Sequence, residues 1–151
     1  MRKIILYLFI CFIFGCAGYE PIFSSKNLDF YISDIENLNS DDITRKISKR
    51  LKDYKIEDAN KKEYKLKITS EKNEYVASKD SKGDPLVFVM SVKTKIEVLY
   101  NEKSINILNL SETFNFNNQS NKFDLSKYKK NIEENLINKI YENLIIKIQT
   151  L

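Results

Sequence analysis

Apolar and polar residues alternate with a period of two along much of the chain, and the alternation gives way to a spacing of three or four in two places. From Leu28 to Ile35, Leu28, Phe30 and Ile32 alternate with Asp29, Tyr31 and Ser33, which predicts a first strand with one face buried. Asn39-Ser40-Asp41-Asp42 then offers capping side chains and two carboxylates suited to a helix N-terminus. Behind it Ile43, Ile47, Leu51 and Tyr54 fall on one helical face, with Arg45, Lys46, Lys49, Arg50 and Lys52 off it. That basic face reads either as a solvated surface or as a phosphate site.

After a polar loop from Asp58 to Glu63, Tyr64, Leu66 and Ile68 point inward and Lys65, Lys67 and Thr69 outward, predicting a second strand. The apolar positions then return at Tyr75 and Ala77, on odd instead of even numbers. An extra residue exchanges the two faces of a strand, so a bulge is expected between Glu71 and Glu74. Ser81-Lys82-Gly83-Asp84-Pro85 is the strongest turn signal. The third strand follows from Leu86 to Tyr100, with Leu86, Phe88, Met90, Val92, Ile96, Val98 and Tyr100 on one side. A turn at Asn101-Glu102-Lys103-Ser104 leads to a fourth strand, about Ile105 to Asn117, whose Leu108, Leu110, Phe114 and Phe116 share a face. From Leu125 to Leu151 the apolar residues step by three or four, a long helix whose start Asp124 or Ser126 can cap.

Strand, helix, three strands and helix make an α+β sandwich, two helices packed on one face of a four-stranded mixed, mostly antiparallel sheet. Meander order gives antiparallel pairing to the last three strands, and a crossover helix lets the first pair in parallel. The third strand's 15 residues extend about 50 Å and the final helix of about 26 residues about 39 Å, so part of the sheet is expected to project uncovered. The end near Gly83 is the candidate, because Leu86-Val87-Phe88-Val89-Met90 is apolar on both faces. The competing reading is a strand buried on both sides by its neighbours.

The opening of the chain changes the setting of this domain. Arg2 and Lys3 precede an unbroken apolar run from Ile4 to Phe14, then Gly15 and Cys16. About 11 apolar residues make a helix of roughly 16 Å, short of the ~30 Å hydrocarbon core, so the run reads as an export signal and not a span. Ile13-Phe14-Gly15-Cys16 resembles the lipobox of bacterial lipoproteins, although Phe14 is bulkier than usual there. The resemblance implies cleavage before Cys16 and a covalent diacylglycerol with an N-acyl chain on that cysteine. A plain secretory signal is the alternative. The expected division is a signal at 1–15, a lipidated N-terminus and tether at 16–27, and one domain at 28–151.

Composition narrows the chemistry. Of the 151 residues, 25 are Lys or Arg and 21 Asp or Glu, a balance of +4. Loss of Arg2 and Lys3 with the signal brings it to about +2, too little excess to suggest nucleic-acid binding. The chain has no histidine, and its two cysteines, Cys11 and Cys16, lie in the signal and at the lipid. Acid/base, nucleophilic and transition-metal chemistry lean on those residues, so neither a catalytic nor a metal site is expected. A hydrolase would need a carboxylate pair or an activated serine, which the scattered acids do not suggest.

One family gathers these features. Gly15-Cys16-Ala17-Gly18-Tyr19-Glu20-Pro21-Ile22-Phe23, Ser111-Glu112-Thr113-Phe114-Asn115 and the helix opening at Phe123-Asp124-Leu125 through Tyr128, with Asn135-Leu136, resemble the LptE family of lipopolysaccharide-assembly lipoproteins. The resemblance implies a non-enzymatic plug inside an LptD-like β-barrel that helps lipopolysaccharide reach the outer leaflet. It also implies a lipid anchor on the periplasmic side of the outer membrane, which Ala17 after the lipidated cysteine fits. On this reading the projecting tip contacts barrel or lipopolysaccharide through Leu86 and Phe88, with Lys79 and Lys82 near lipid phosphates. The open sheet face, with Lys65, Lys67, Lys93 and Lys95, meets the barrel lumen or is simply the wet side. A free-standing membrane-anchored carrier of a lipid or other apolar ligand is the alternative, and it calls for a pocket between sheet and helices.

Overall fold

A computed structural model describes residues 28–151. The elements are β1 (Phe30–Asn37), α1 (Asp42–Leu51) continued by a 3-10 turn (Lys52–Tyr54), β2 (Lys62–Lys79), β3 (Pro85–Tyr100), β4 (Lys103–Asn117) and α2 (Lys122–Gln149). The four strands lie in the order β1-β2-β3-β4, with β1 parallel to β2 and both hairpins antiparallel. This is the expected mixed α+β sheet with two helices, and β2 is the partner of the first strand.

Burial follows the alternation. Tyr64, Leu66 and Ile68 of β2, Met90, Val92, Ile96 and Val98 of β3, and Leu108, Leu110 and Phe116 of β4 form one face of the core. Ile43, Ile47 and Leu51 of α1 and Ile132, Leu136, Ile137, Ile140, Leu144 and Ile148 of α2 close it from above. The Asp41 carboxylate accepts from the Ile43 amide at 2.8 Å and starts α1. Asp41→Ala is expected to cost about 1 kcal/mol, the usual worth of an N-cap, measurable as a lower urea midpoint with an unchanged slope.

Turn chemistry sets both hairpins. Asp80 accepts from the amides of Lys82 (2.9 Å) and Asp84 (2.8 Å), and Gly83 takes φ +91°, a conformation side chains resist. At the other end Asn101 and Glu102 both have positive φ, as a two-residue turn matched to the sheet's twist requires.

Three expectations need correction. The first strand lies two residues further on, at 30–37, and an irregularity between Ile32 and Asp34 lets both Ile32 and Ile35 face the core. No bulge occurs between Glu71 and Glu74. The β2–β3 register runs unbroken from Lys65 to Val76, and the shift falls around Ala77. The even-numbered face continues through Ser70, Lys72 and Glu74, but there it leaves the apolar core and enters a seam of ion pairs, so its polarity changes while its direction does not. The α2 cap is Asn121, whose side chain accepts from Phe123 and Asp124, which makes Asp124 the acidic residue of the first turn. Phe114 shares the core-side face, as expected, and is 42% exposed because β4 is an edge strand with no neighbour beyond it among the described residues.

The sheet outruns its helices. Eighteen residues of β2 extend about 60 Å, whereas the 28 residues of α2 cover about 42 Å. Residues 71–79 of β2 are all exposed, the projecting hairpin that the strand lengths predict.

Candidate functional site

The tip of the β2–β3 hairpin carries four of the residues the sequence singles out. Lys79 ends β2 opposite Pro85, Lys82 sits in the turn, and both are exposed. Asp80 and Asp84 share the turn with them, so the tip's charge is balanced and Asp80's carboxylate already holds the turn. Leu86 is 49% exposed, and on β2 Tyr75 (58%), opposite Val89, and Val76, opposite Phe88, are exposed on the two faces of the hairpin. Phe88 differs. It stacks on Phe116 with ring centroids 5.5 Å apart, and the Lys129 ammonium lies 4.7 Å from its centroid. Val89 and Met90 are buried, so the apolar run of β3 is enclosed on both faces at its inner end and bare at Leu86.

Lys93 and Lys95 sit elsewhere, in the middle of the open sheet face. Lys93 pairs with Glu71 at 3.7 Å and lies opposite Ser111, while Lys95 lies between Thr69 and Asn109. Among the described residues Lys95 has no ion-pair partner. Nine positions along β3 separate Lys95 from Leu86, roughly 30 Å, so tip and lysines form two separate surfaces. The lysine row is also less basic than it reads. Lys67 pairs with Glu36 of β1 at 3.5 Å and Lys65 with Glu102 of the β3–β4 turn, acids from other parts of the chain that only the register reveals.

A third cluster escaped the sequence reading. The basic side of α1, expected to be solvated or to hold phosphate, instead faces acids of α2. Lys46 reaches Glu133 at 2.5 Å and Glu134 at 3.0 Å, Arg50 reaches Glu134 at 2.8 Å, and Lys72 of β2 reaches Glu133 at 2.6 Å. Burial pushes the Glu133 carboxyl up, but the bonds from Lys46 and Lys72 outweigh it and hold it below the usual carboxylate range. Glu133, in turn, holds the Lys46 ammonium above its ordinary value. The signal for this seam was the Glu133-Glu134 pair beside the apolar stripe of α2, uninterpretable until the two helices are placed side by side.

Two open clefts border these elements. One, about 580 Å³, lies over the seam, where Lys46, Lys72 and Lys129 meet Asp42, Glu74 and Glu133. The other, about 590 Å³, is lined by Phe30, Tyr54, Ile56 and Glu57 at the end of the sheet where β1 begins. Among the described residues no group of three His, Cys, Asp or Glu is placed to hold a metal ion, and no helix is long and apolar enough to cross a membrane. The Cys16 lipidation site and the tether lie outside the described residues.

No protein-family profile and no curated protein matches the chain. Solved structures do. The fold is similar to rare lipoprotein B from Shewanella oneidensis, with TM-score 0.56 and 10% identity over 76% of this chain and 92% of that one. It is similar also to a minor lipoprotein from Acinetobacter baumannii, with TM-score 0.56 and 9% identity over 82% and 92%. An uncharacterized lipoprotein B from Nitrosomonas europaea gives TM-score 0.50 and 15% identity over 87% and 88%. At these identities the likeness is one of fold: residues 28–151 adopt an architecture found among bacterial lipoproteins.

Proposed function

We propose that the chain is a lipid-anchored, non-enzymatic outer-membrane lipoprotein of the LptE kind, which plugs an LptD-like β-barrel from the periplasmic side and supports lipopolysaccharide insertion at the outer leaflet. The observation that carries this reading is the polarity of the domain. Phe30, at the start of β1, pairs with Lys62, at the start of β2, so the chain enters at the opposite end of the sheet from the Lys79–Pro85 tip. Those ends are about 60 Å apart, more than the 40–45 Å of a bilayer with its headgroups. A domain tethered through Cys16 at one leaflet and standing in a lumen therefore reaches the other leaflet with its tip. Leu86, Tyr75 and Val76 supply apolar contact there, Lys79 and Lys82 stand near lipid phosphates, and Phe88 stiffens the tip from beneath. The ion-paired open face, with Lys93 and Lys95, suits a polar barrel lumen.

Affinity purification of the full chain in mild detergent, followed by mass spectrometry, tests this. A large β-barrel protein in stoichiometric amount is the expected result, and recovery of the chain alone contradicts it. The cleft beside Phe30, Tyr54 and Ile56 favours a second reading, a membrane-anchored carrier of an apolar ligand. That reading requires isolation without a protein partner but with a bound lipid.

A further inference from the structure

Three backbone edges of the sheet lack a neighbouring strand among the described residues, and two of them are guarded. β1 is eight residues long, irregular at Ser33, and carries Asp34 and Glu36. β2 beyond Ser70 has no β1 partner, but it carries Lys72, Glu74 and Lys79 and shifts register twice near its end. Charges, bulges and short length are the ordinary means by which a sheet refuses further strands. β4 has none of these from Ile107 to Asn117. Its pairing with β3 is unbroken there, and Glu112 is the only charge.

The outward-facing groups of that edge can be identified. The Asn118 amide bonds to the Leu86 carbonyl, and alternation along an antiparallel pair then turns the amides and carbonyls of Ile107, Asn109, Ser111, Thr113 and Asn115 away from β3, as it does those of Asn117 at the strand's end. All five side chains are uncharged, and the set is symmetric about Ser111. We propose that β4 pairs antiparallel with β4 of a second copy, centred on Ser111, to make a continuous eight-stranded sheet. In that register Ile107 meets Asn115 of the other copy, Asn109 meets Thr113, and Ser111 meets itself. All five outward residues find partners, for about ten backbone hydrogen bonds. On the helix face, half-exposed Phe114 packs on Leu108 of the other copy, and Glu112 lies opposite Leu110 with no like charge facing it. Asn143 of α2 reaches Glu112, so the flank of α2 carrying Asn143 and Ile146 runs along this edge. Ile146, 45% exposed, then faces its counterpart across the twofold axis.

A second copy is favoured over a foreign strand because the edge is self-complementary in a register that keeps the two Glu112 side chains from standing directly opposite each other, as a register centred on Glu112 would place them. The inference stands apart from the barrel reading, since it concerns the chain on its own. It is tested with the full chain in detergent micelles, carrying Cys11→Ser and Cys16→Ser so that an introduced thiol is the only one. Ser111→Cys is expected to give a disulfide-linked dimer under mild oxidation and Thr113→Cys at least tenfold less, because only position 111 faces itself. Ser111→Glu, exposed and opposite Lys93 within its own sheet, sets two like charges face to face at the twofold axis and is expected to shift the sedimenting species from dimer to monomer. Equal crosslinking from both cysteines, or a monomer at every concentration without the glutamate, overturns the proposal. So does a β4 edge that crosslinks only to a different protein.

Discussion

Cys16→Ser, carried behind an export signal that is cut without lipid, is expected to move the protein almost completely from the membrane fraction to the soluble one, while leaving the folded domain as stable as before. The argument is one of lipid chain number. A single acyl chain holds a protein only marginally, whereas two or three, at about 0.8 kcal/mol per buried CH₂, anchor it effectively for good. On this reading no comparable anchor is then left, since the substituted signal is cut away and among the described residues no helix is long and apolar enough to cross a bilayer. Labelling with palmitate followed by membrane fractionation checks it. Continued sedimentation of the serine variant with membranes, or an unlabelled parent chain, contradicts it.

Glu133→Ala is expected to destabilise the domain by about 2–3 kcal/mol, below the range for fully buried ion pairs because Lys46 and Lys72 remain partly wet. Glu133 itself is only 9% exposed, and its removal leaves Lys72 without its carboxylate, while Lys46 keeps Glu134 at 3.0 Å and Asp42 at 3.2 Å. For a domain of this size that is a fall in Tm of roughly 5–10 °C. The sign of the pH dependence follows. The folded carboxyl titrates below its ordinary value of 4.5, so its contribution is present above that value and lost as pH falls through the lower, folded one. Wild type and Glu133→Gln should therefore draw together in stability as pH falls below 4.5 and converge once it passes the lower, folded value. A constant gap from pH 7 to pH 3 would assign the loss to packing instead.

Alternation exposes any element whose burial has one period throughout, and so it located the inward faces of β3 and the stripe of α2. The inner half of β2 read as cleanly. Its outer half did not, because Lys72 and Glu74 face α2 exactly where an apolar residue would be expected, and a polar inward position is indistinguishable from a change of register. The Asn121 cap was hidden by Phe123, 76% exposed, an apolar residue that marks no core. At the tip, strand length against helix length was enough to foresee the projection. The fate of Phe88 was not, since its partners Phe116 and Lys129 come from two later elements.

A photo-crosslinker in place of Lys95 tests the central claim most directly, because this side chain lies mid-face and has no ion-pair partner among the described residues. In intact cells the account expects one dominant adduct, to an outer-membrane β-barrel protein. Efficient photolysis that yields no barrel adduct would contradict it and leave the open face as the wet side of the sheet.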